Sequence, residues 1–144
     1  MKPSLLLIFL SIFAYGMSAC ATPNPSTKPL SVEDQAGLLN ALKAAGATVD
    51  VGDSIAQDFF SVEGKTVKVN GAELQVFEYE NSEAMEKDAS NVAPDGGSIG
   101  TSMVNWIDTP HFYKAGRIIT LYVGSDNAVL DLLDNVLGPQ FAGR

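Results

Sequence analysis

Between residues 31 and 46 the apolar positions Leu38, Ala41, Leu42 and Ala45 recur at helical spacing, which predicts a first helix over about 32–45 with one apolar face. Ser31-Val32-Glu33-Asp34 has the Ser-x-x-acid form of a capping box, and Gly46 suits the C-terminal end. From Thr48 the period shortens to two. Thr48–Val51, Ile55–Val62, Lys65–Asn70 and Ala72–Glu80 carry β-branched and aromatic residues separated by glycine, the pattern of strands. Asn70-Gly71 is the strongest hairpin signal, because both central positions of a type I′ turn need a positive φ. A turn there sets Val69 opposite Ala72 and Val67 opposite Leu74, giving an antiparallel meander.

Ser82–Asn91 places Met85, Ala89 and Val92 on one side of a short second helix, stopped by Pro94-Asp95-Gly96-Gly97. Met103–Ile107 and Arg117–Val123 read as strands, the latter apolar enough to be central. A last helix starts at a Ser125 cap, buries Val129, Leu130, Leu132, Leu133, Val136 and Leu137, and ends at Gly138-Pro139. Hairpin-length connections and the absence of long βαβ crossovers predict an α+β two-layer sandwich. Its mainly antiparallel sheet has about five to six strands, with about three helices packed on one face.

Ahead of this pattern the chain is of another kind. Met1-Lys2, the apolar run Leu5–Ala14 and the small residues ending in Ser18-Ala19-Cys20 follow the order of a cleavable export signal. The run falls short of the roughly 20 apolar residues that span a bilayer. Cys20 is the only cysteine, so no internal disulfide exists and burial must supply stability. Met17-Ser18-Ala19-Cys20 resembles the lipobox of bacterial lipoproteins, with Met17 where leucine is usual. The resemblance implies lipid attachment at Cys20, and three acyl chains would hold the protein stably at a membrane. Ala21 as second mature residue is similar to the outer-membrane sorting class of Gram-negative lipoproteins. The organisation expected is a signal peptide at 1–19, a lipidated Pro-rich tether at 20–30, and one domain at 31–144, placed in the cell envelope and facing outside the cytoplasm.

The full chain carries a net charge of −8. Loss of Lys2 with the leader takes Lys and Arg from 9 to 8 against 17 Asp and Glu, a net −9. Such a charge repels phosphate backbones and anionic headgroups, which argues against nucleic acid as a partner. Candidate chemistry is sparse. Gly96-Gly97-Ser98-Ile99-Gly100 matches the letters of a nucleophile elbow, with Asp108 and His111 following in hydrolase order. The elbow needs a strand before the serine and a helix after it, and this serine lies between a polar turn and an extended segment. One histidine and no thiol beyond Cys20 leave a metal centre short of ligands; no calcium loop and no Gly-rich phosphate loop occurs, so neither metal nor cofactor is expected. The carboxylate pairs Asp50/Asp53 and Glu78/Glu80 fit solvated strand positions.

The segment from Trp106 to Lys114 holds the sole Trp and sole His. Trp106, His111, Phe112 and Tyr113 form a candidate binding face at a Pro-bounded turn, with core packing as the bland alternative. Phe59–Gly64 and His111–Gly124 resemble stretches of small bacterial envelope lipoproteins of unassigned function, a resemblance that implies a location and no activity. The expected role is a tethered, non-catalytic module that binds an envelope protein or small ligand. The alternatives are a small hydrolase using His111 with Asp108 or Ser98, and a structural envelope component.

Overall fold

The computed structural model describes residues 31–143; the expected leader, the lipid site at Cys20 and the tether lie outside the described residues. The elements run α1 (Gln35–Ala44), β1 (Val49–Ile55), β2 (Gly64–Val69), β3 (Ala72–Glu78), α2 (Ser82–Ala89), β4 (Ser98–Ile99), β5 (Ser102–Met103), β6 (Pro110–Ala115), β7 (Ile118–Val123), α3 (Asn127–Leu137) and β8 (Ala142–Gly143). Six strands form an antiparallel sheet in the order β1-β2-β3-β7-β6-β8, and β4 and β5 make a separate ribbon. The fold is α+β, as the periodicities predict.

The Asn70-Gly71 hairpin takes its expected register, with Val69 opposite Ala72 and Val67 opposite Leu74. Asn70 and Gly71 both sit at positive φ, 52° and 88°, which is what the tight primed turn demands. Helix starts differ from expectation by a few residues. Asp34, not Ser31, caps α1, its Oδ1 accepting from Gly37 N at 2.8 Å. Asp126, not Ser125, caps α3 by accepting from Ala128 N at 2.9 Å. In each case the acceptor that can reach the second or third helical N–H wins over a neighbouring serine.

Several strands also differ from expectation. Thr48–Val51 and the start of the next predicted segment merge into β1, a single edge strand whose register shifts between Val51 and Ser54. Beyond Ile55 the chain leaves the sheet, and the Phe60 ring lies 4.7 Å from that of Phe77, over a sheet face. Of Met103–Ile107 only Met103 pairs, with Ser98. Pro110–Ala115, read as a turn, is instead a strand between β7 and β8; proline is tolerated as a strand's first residue, where no ladder donor is required.

Alternation along β7 shows how the core is divided. Ile118 and Tyr122 join Leu38 and Leu42 of α1 and Val129 and Leu133 of α3 in one apolar cluster. Ile119 and Leu121 face the other way and join Met85 and Ala89 of α2, Phe60 and Phe112 in a second. The sheet is thus covered on both faces: α1 and α3 on the first, α2 with two irregular segments on the second. This differs from the expectation of helices on one face only, because a helix pattern alone does not say which sheet face its apolar side meets. Among the described residues these two clusters make up the core.

Arg117 ties the chain's entry to the middle of the sheet. Its amide donates to Glu33 O at 2.9 Å, and its guanidinium pairs with Glu78 at 2.5 Å and Asp34 at 3.8 Å. Gln35 N in turn donates to Glu78 Oε2 at 3.2 Å.

Candidate functional site

Residues 104–109 form a strap over the second face, and Trp106 fastens it. The indole N–H donates to Gly96 O at 2.6 Å. The ring meets Phe112 edge-on at 5.8 Å and Phe59 at 6.1 Å. Gly96 holds a φ of +68°, and a Cβ there would press at 3.0 Å on both Phe112 and Pro110; glycine is needed for its turn to lie this close to β6. Ile107 of the strap is 98% exposed, and Met103 of β5, just ahead of it, is 90% exposed. Such large apolar groups are an exception worth explaining on an acidic surface.

Two clefts flank Trp106. The first, about 390 Å³, is floored by Leu121 and Val123 of β7 and Gln75 of β3, and walled by Phe59, Trp106 and Ile107. Gln57 donates to Gln75 at 2.8 Å along its polar side. The cleft exists because α2 sits toward the other end of the sheet, where Glu86 pairs with Lys114 of β6 at 2.6 Å. The second cleft, about 410 Å³, is lined by Asp95, Asn105, Trp106, Asp108, Thr109 and Pro110. Val104, Asn105 and Trp106 belong to both.

The four residues grouped by sequence do not share a face. Trp106 and Phe112 pack on the second face. His111 and Tyr113, each one residue out of phase with Phe112 along β6, turn to the first face, as strand alternation requires. Phe112 and Tyr113 are core, and His111 is 4% exposed. Its Nδ1 lies 2.7 Å from Gln140 Oε1 and its Nε2 3.1 Å from Gly124 O, with the ring stacked on Tyr122. The histidine thus joins β6 to the segments after β7 and α3. A small hollow of about 190 Å³ beside it is lined by Tyr113, Asp134 and Gln140. Burial pushes the Tyr113 hydroxyl well above its usual range, and the Asp134 carboxylate adds to this.

The structure does not assemble the residues of the hydrolase alternative. Ser98 lies in the ribbon whose Ile99 packs into the second-face cluster, while His111 faces the opposite side. Asp108 is exposed and accepts from Thr109 N at 2.7 Å. Ser98 is also not followed by a helix, so the elbow letters carry no elbow. Of the carboxylate pairs, Glu78 is engaged by Arg117, while Asp50 precedes the irregularity in β1 and Asp53 lies within it. Among the described residues no three His, Cys, Asp or Glu side chains gather as a metal site, and no helix is long and apolar enough to cross a membrane.

Sequence reasoning found Trp106 and missed Gln57, Phe59, Gln75, Leu121 and Val123, which come from three distant segments. One signal was present: Phe59-Phe60 sets two large rings side by side, and an extended chain bounded by one core cannot bury both. No protein-family model matches the chain, and no curated protein or solved structure matches it significantly.

Proposed function

We propose that the chain is a lipid-anchored binding module of the bacterial cell envelope, held at a membrane through Cys20, whose domain seats an apolar group in the cleft beside Trp106. The address rests on the lipobox-like Met17-Ser18-Ala19-Cys20 and the preceding leader. The observation that carries the binding reading is the cleft of about 390 Å³ between Phe59 and Trp106, with Ile107 uncovered at its lip. Its volume falls in the range of roughly 300–1,000 Å³ typical of ligand sites, and its lining combines apolar walls with a few polar groups, Gln57 and Gln75. Nothing in the site couples a nucleophile to a base, which favours binding over catalysis.

Two measurements test the two halves. The intact mass of membrane-extracted protein should equal residues 20–144 plus acyl chains, and a Cys20→Ala protein should lack the increment; an unacylated mature chain overturns the anchor. For the cleft, residues 21–144 retain both core clusters and serve as a soluble form. N-phenyl-1-naphthylamine, a neutral apolar fluorophore, should bind it and shift Trp106 emission. Val123→Glu, at the partly exposed end of β7, should weaken this at least about tenfold while leaving the circular dichroism unchanged, since it places a charge in the apolar cleft. Equal binding by both proteins, or none by either, defeats the reading.

A further inference from the structure

Asn70 is the one asparagine in the chain followed by glycine. An asparagine carboxamide is an electrophile whose nearest nucleophile is the next backbone nitrogen, and glycine leaves that nitrogen unobstructed because it has no Cβ. The hairpin adds to this. Asn70 and Gly71 are exposed, Gly71 N has no hydrogen-bond acceptor among the described residues, and a Cβ built on Gly71 would meet nothing within 4 Å. At Asn91 and Asn127 the following nitrogen is engaged: Val92 N donates to Ala89 O at 3.1 Å and Ala128 N to Asp126 Oδ1 at 2.9 Å. Asp95-Gly96 is capable of the same ring closure and is held off in the same way, since Gly96 N donates to Ala93 O at 2.8 Å.

One restraint opposes reaction at Asn70. Its Oδ1 accepts from Thr48 N at 2.9 Å, and its backbone N donates to Thr48 O at 3.0 Å. Thr48 lies alongside Asn70 N, so this tie holds the carboxamide away from Gly71 N. Thr48 also leads into β1, an edge strand paired on one side only and irregular in register, the kind of segment that opens locally. We propose that Asn70 is a self-modifying site gated by Thr48: when the start of β1 frays, Gly71 N closes on the Asn70 carboxamide, and the product loosens β1. Gly71 N gives up its proton to solvent base and bonds to Cγ. The Cγ–Nδ2 bond breaks, and the amide leaves as ammonia after taking a proton from water. Water then opens the cyclic imide at either carbonyl, so that overall one water is consumed and one ammonia released. Opening at Cγ gives an aspartyl residue, which keeps the turn and an oxygen for Thr48 N. Opening at the main-chain carbonyl gives an isoaspartyl residue, whose extra backbone carbon does not fit a two-residue primed turn. None of this depends on what the Trp106 cleft binds.

The test follows residues 21–144 in warm, mildly alkaline buffer, with cleavage after lysine releasing the fragment 69–87. Asn70 should exchange the mass of an amino group for that of a hydroxyl at least about tenfold faster than any other described asparagine. Unfolding in guanidinium chloride should speed this at least about tenfold. Thr48→Pro removes the donor just ahead of the strand, where proline is tolerated, and should speed it at least about threefold with unchanged circular dichroism. Should that variant not fold, the wild type supplies the readout: below the unfolding transition, conversion should rise in step with hydrogen exchange of the Thr48 amide. The purified isoaspartyl form should exchange its β1 amides faster than both the starting protein and Asn70→Asp. No conversion in the folded chain, or conversion elsewhere as fast as at Asn70, overturns the site. Equal rates in folded and unfolded chains, or rates that ignore the Thr48 amide, overturn the gate, and unaltered β1 exchange overturns the consequence.

Discussion

Thr120 carries a buried side-chain oxygen with no hydrogen-bond partner among the described residues, in the middle of β7 and fully shielded from water. Leaving such a group unpaired costs about 1–3 kcal/mol, and valine is nearly its isostere. Thr120→Val should therefore raise stability by about 1 kcal/mol, read as a higher urea midpoint with an unchanged slope. Asp88 is the opposite case. Its Oδ2 accepts from Ser61 N and Ser61 Oγ at 2.7 Å and from the Tyr79 hydroxyl at 3.0 Å, pinning the irregular segment after β1 to α2 and the end of β3. Burial, then the charge and hydrogen bond of Asp88, push the Tyr79 hydroxyl far above its usual 10. A raised folded pKa means the unfolded chain loses its proton first, so this stabilisation is whole below about pH 10 and declines above it. Each such tyrosine contributes about 1.4 kcal/mol per pH unit in that window. With Tyr79 and Tyr113 both raised, urea midpoints should fall steeply above about pH 10, and Tyr79→Phe should remove about half of the slope.

At the scale of elements, what was legible in the sequence is what is decided locally. The Asn70-Gly71 turn requires positive φ at two consecutive residues, few sequences supply it, and the register of β2 and β3 follows. Helix bodies were legible from their apolar spacing, whereas their first residues were decided by which side-chain oxygen reaches the free amides. Asp126→Ala should thus cost about 1 kcal/mol of stability and Ser125→Ala only a few tenths, compared by thermal melts. The strap was illegible because Met103–Ile107 alternates like a strand, yet what holds it are isolated contacts with distant segments: Trp106 to Gly96 O, Val104 N to Gly97 O and Thr109 O to Gly124 N. The strand at β6 was hidden for a related reason. His111, Phe112 and Tyr113 alternate between faces but are all buried, since the sheet is covered on both sides, and a run of large residues beside a proline then looks like an aromatic turn.

For the whole molecule, one sequence pattern foretold the class of the fold and the residue at the centre of the candidate site, but not the site. Trp106 stood out as the sole tryptophan, while its companions Phe59, Gln75 and Val123 acquire meaning only when β3 and β7 are neighbours. The same long-range closure governs the far end of the chain. Phe141 packs on Phe112, Gln140 meets His111, and β8 pairs with β6. Removing residues 140–144 uncovers this edge and frees the histidine. The truncation should lower stability by about 2 kcal/mol, given the apolar area it exposes, and should speed proteolysis near β6.

The Arg117 tie also sets a direction. The chain enters the domain beside Ile118, at one end of β7, and the Trp106 clefts reach Val123 at the other. Five residue steps of strand separate the two, roughly 17 Å. Entry is at the midline of the sheet, because β3 and β7 are its central pair. A copy moored at a bilayer by the residues ahead of Ser31 would stand on that end like a mast on its step. The proposed recognition surface would then be the masthead, carried outward and clear of the headgroups, toward whatever lies across the gap from that membrane.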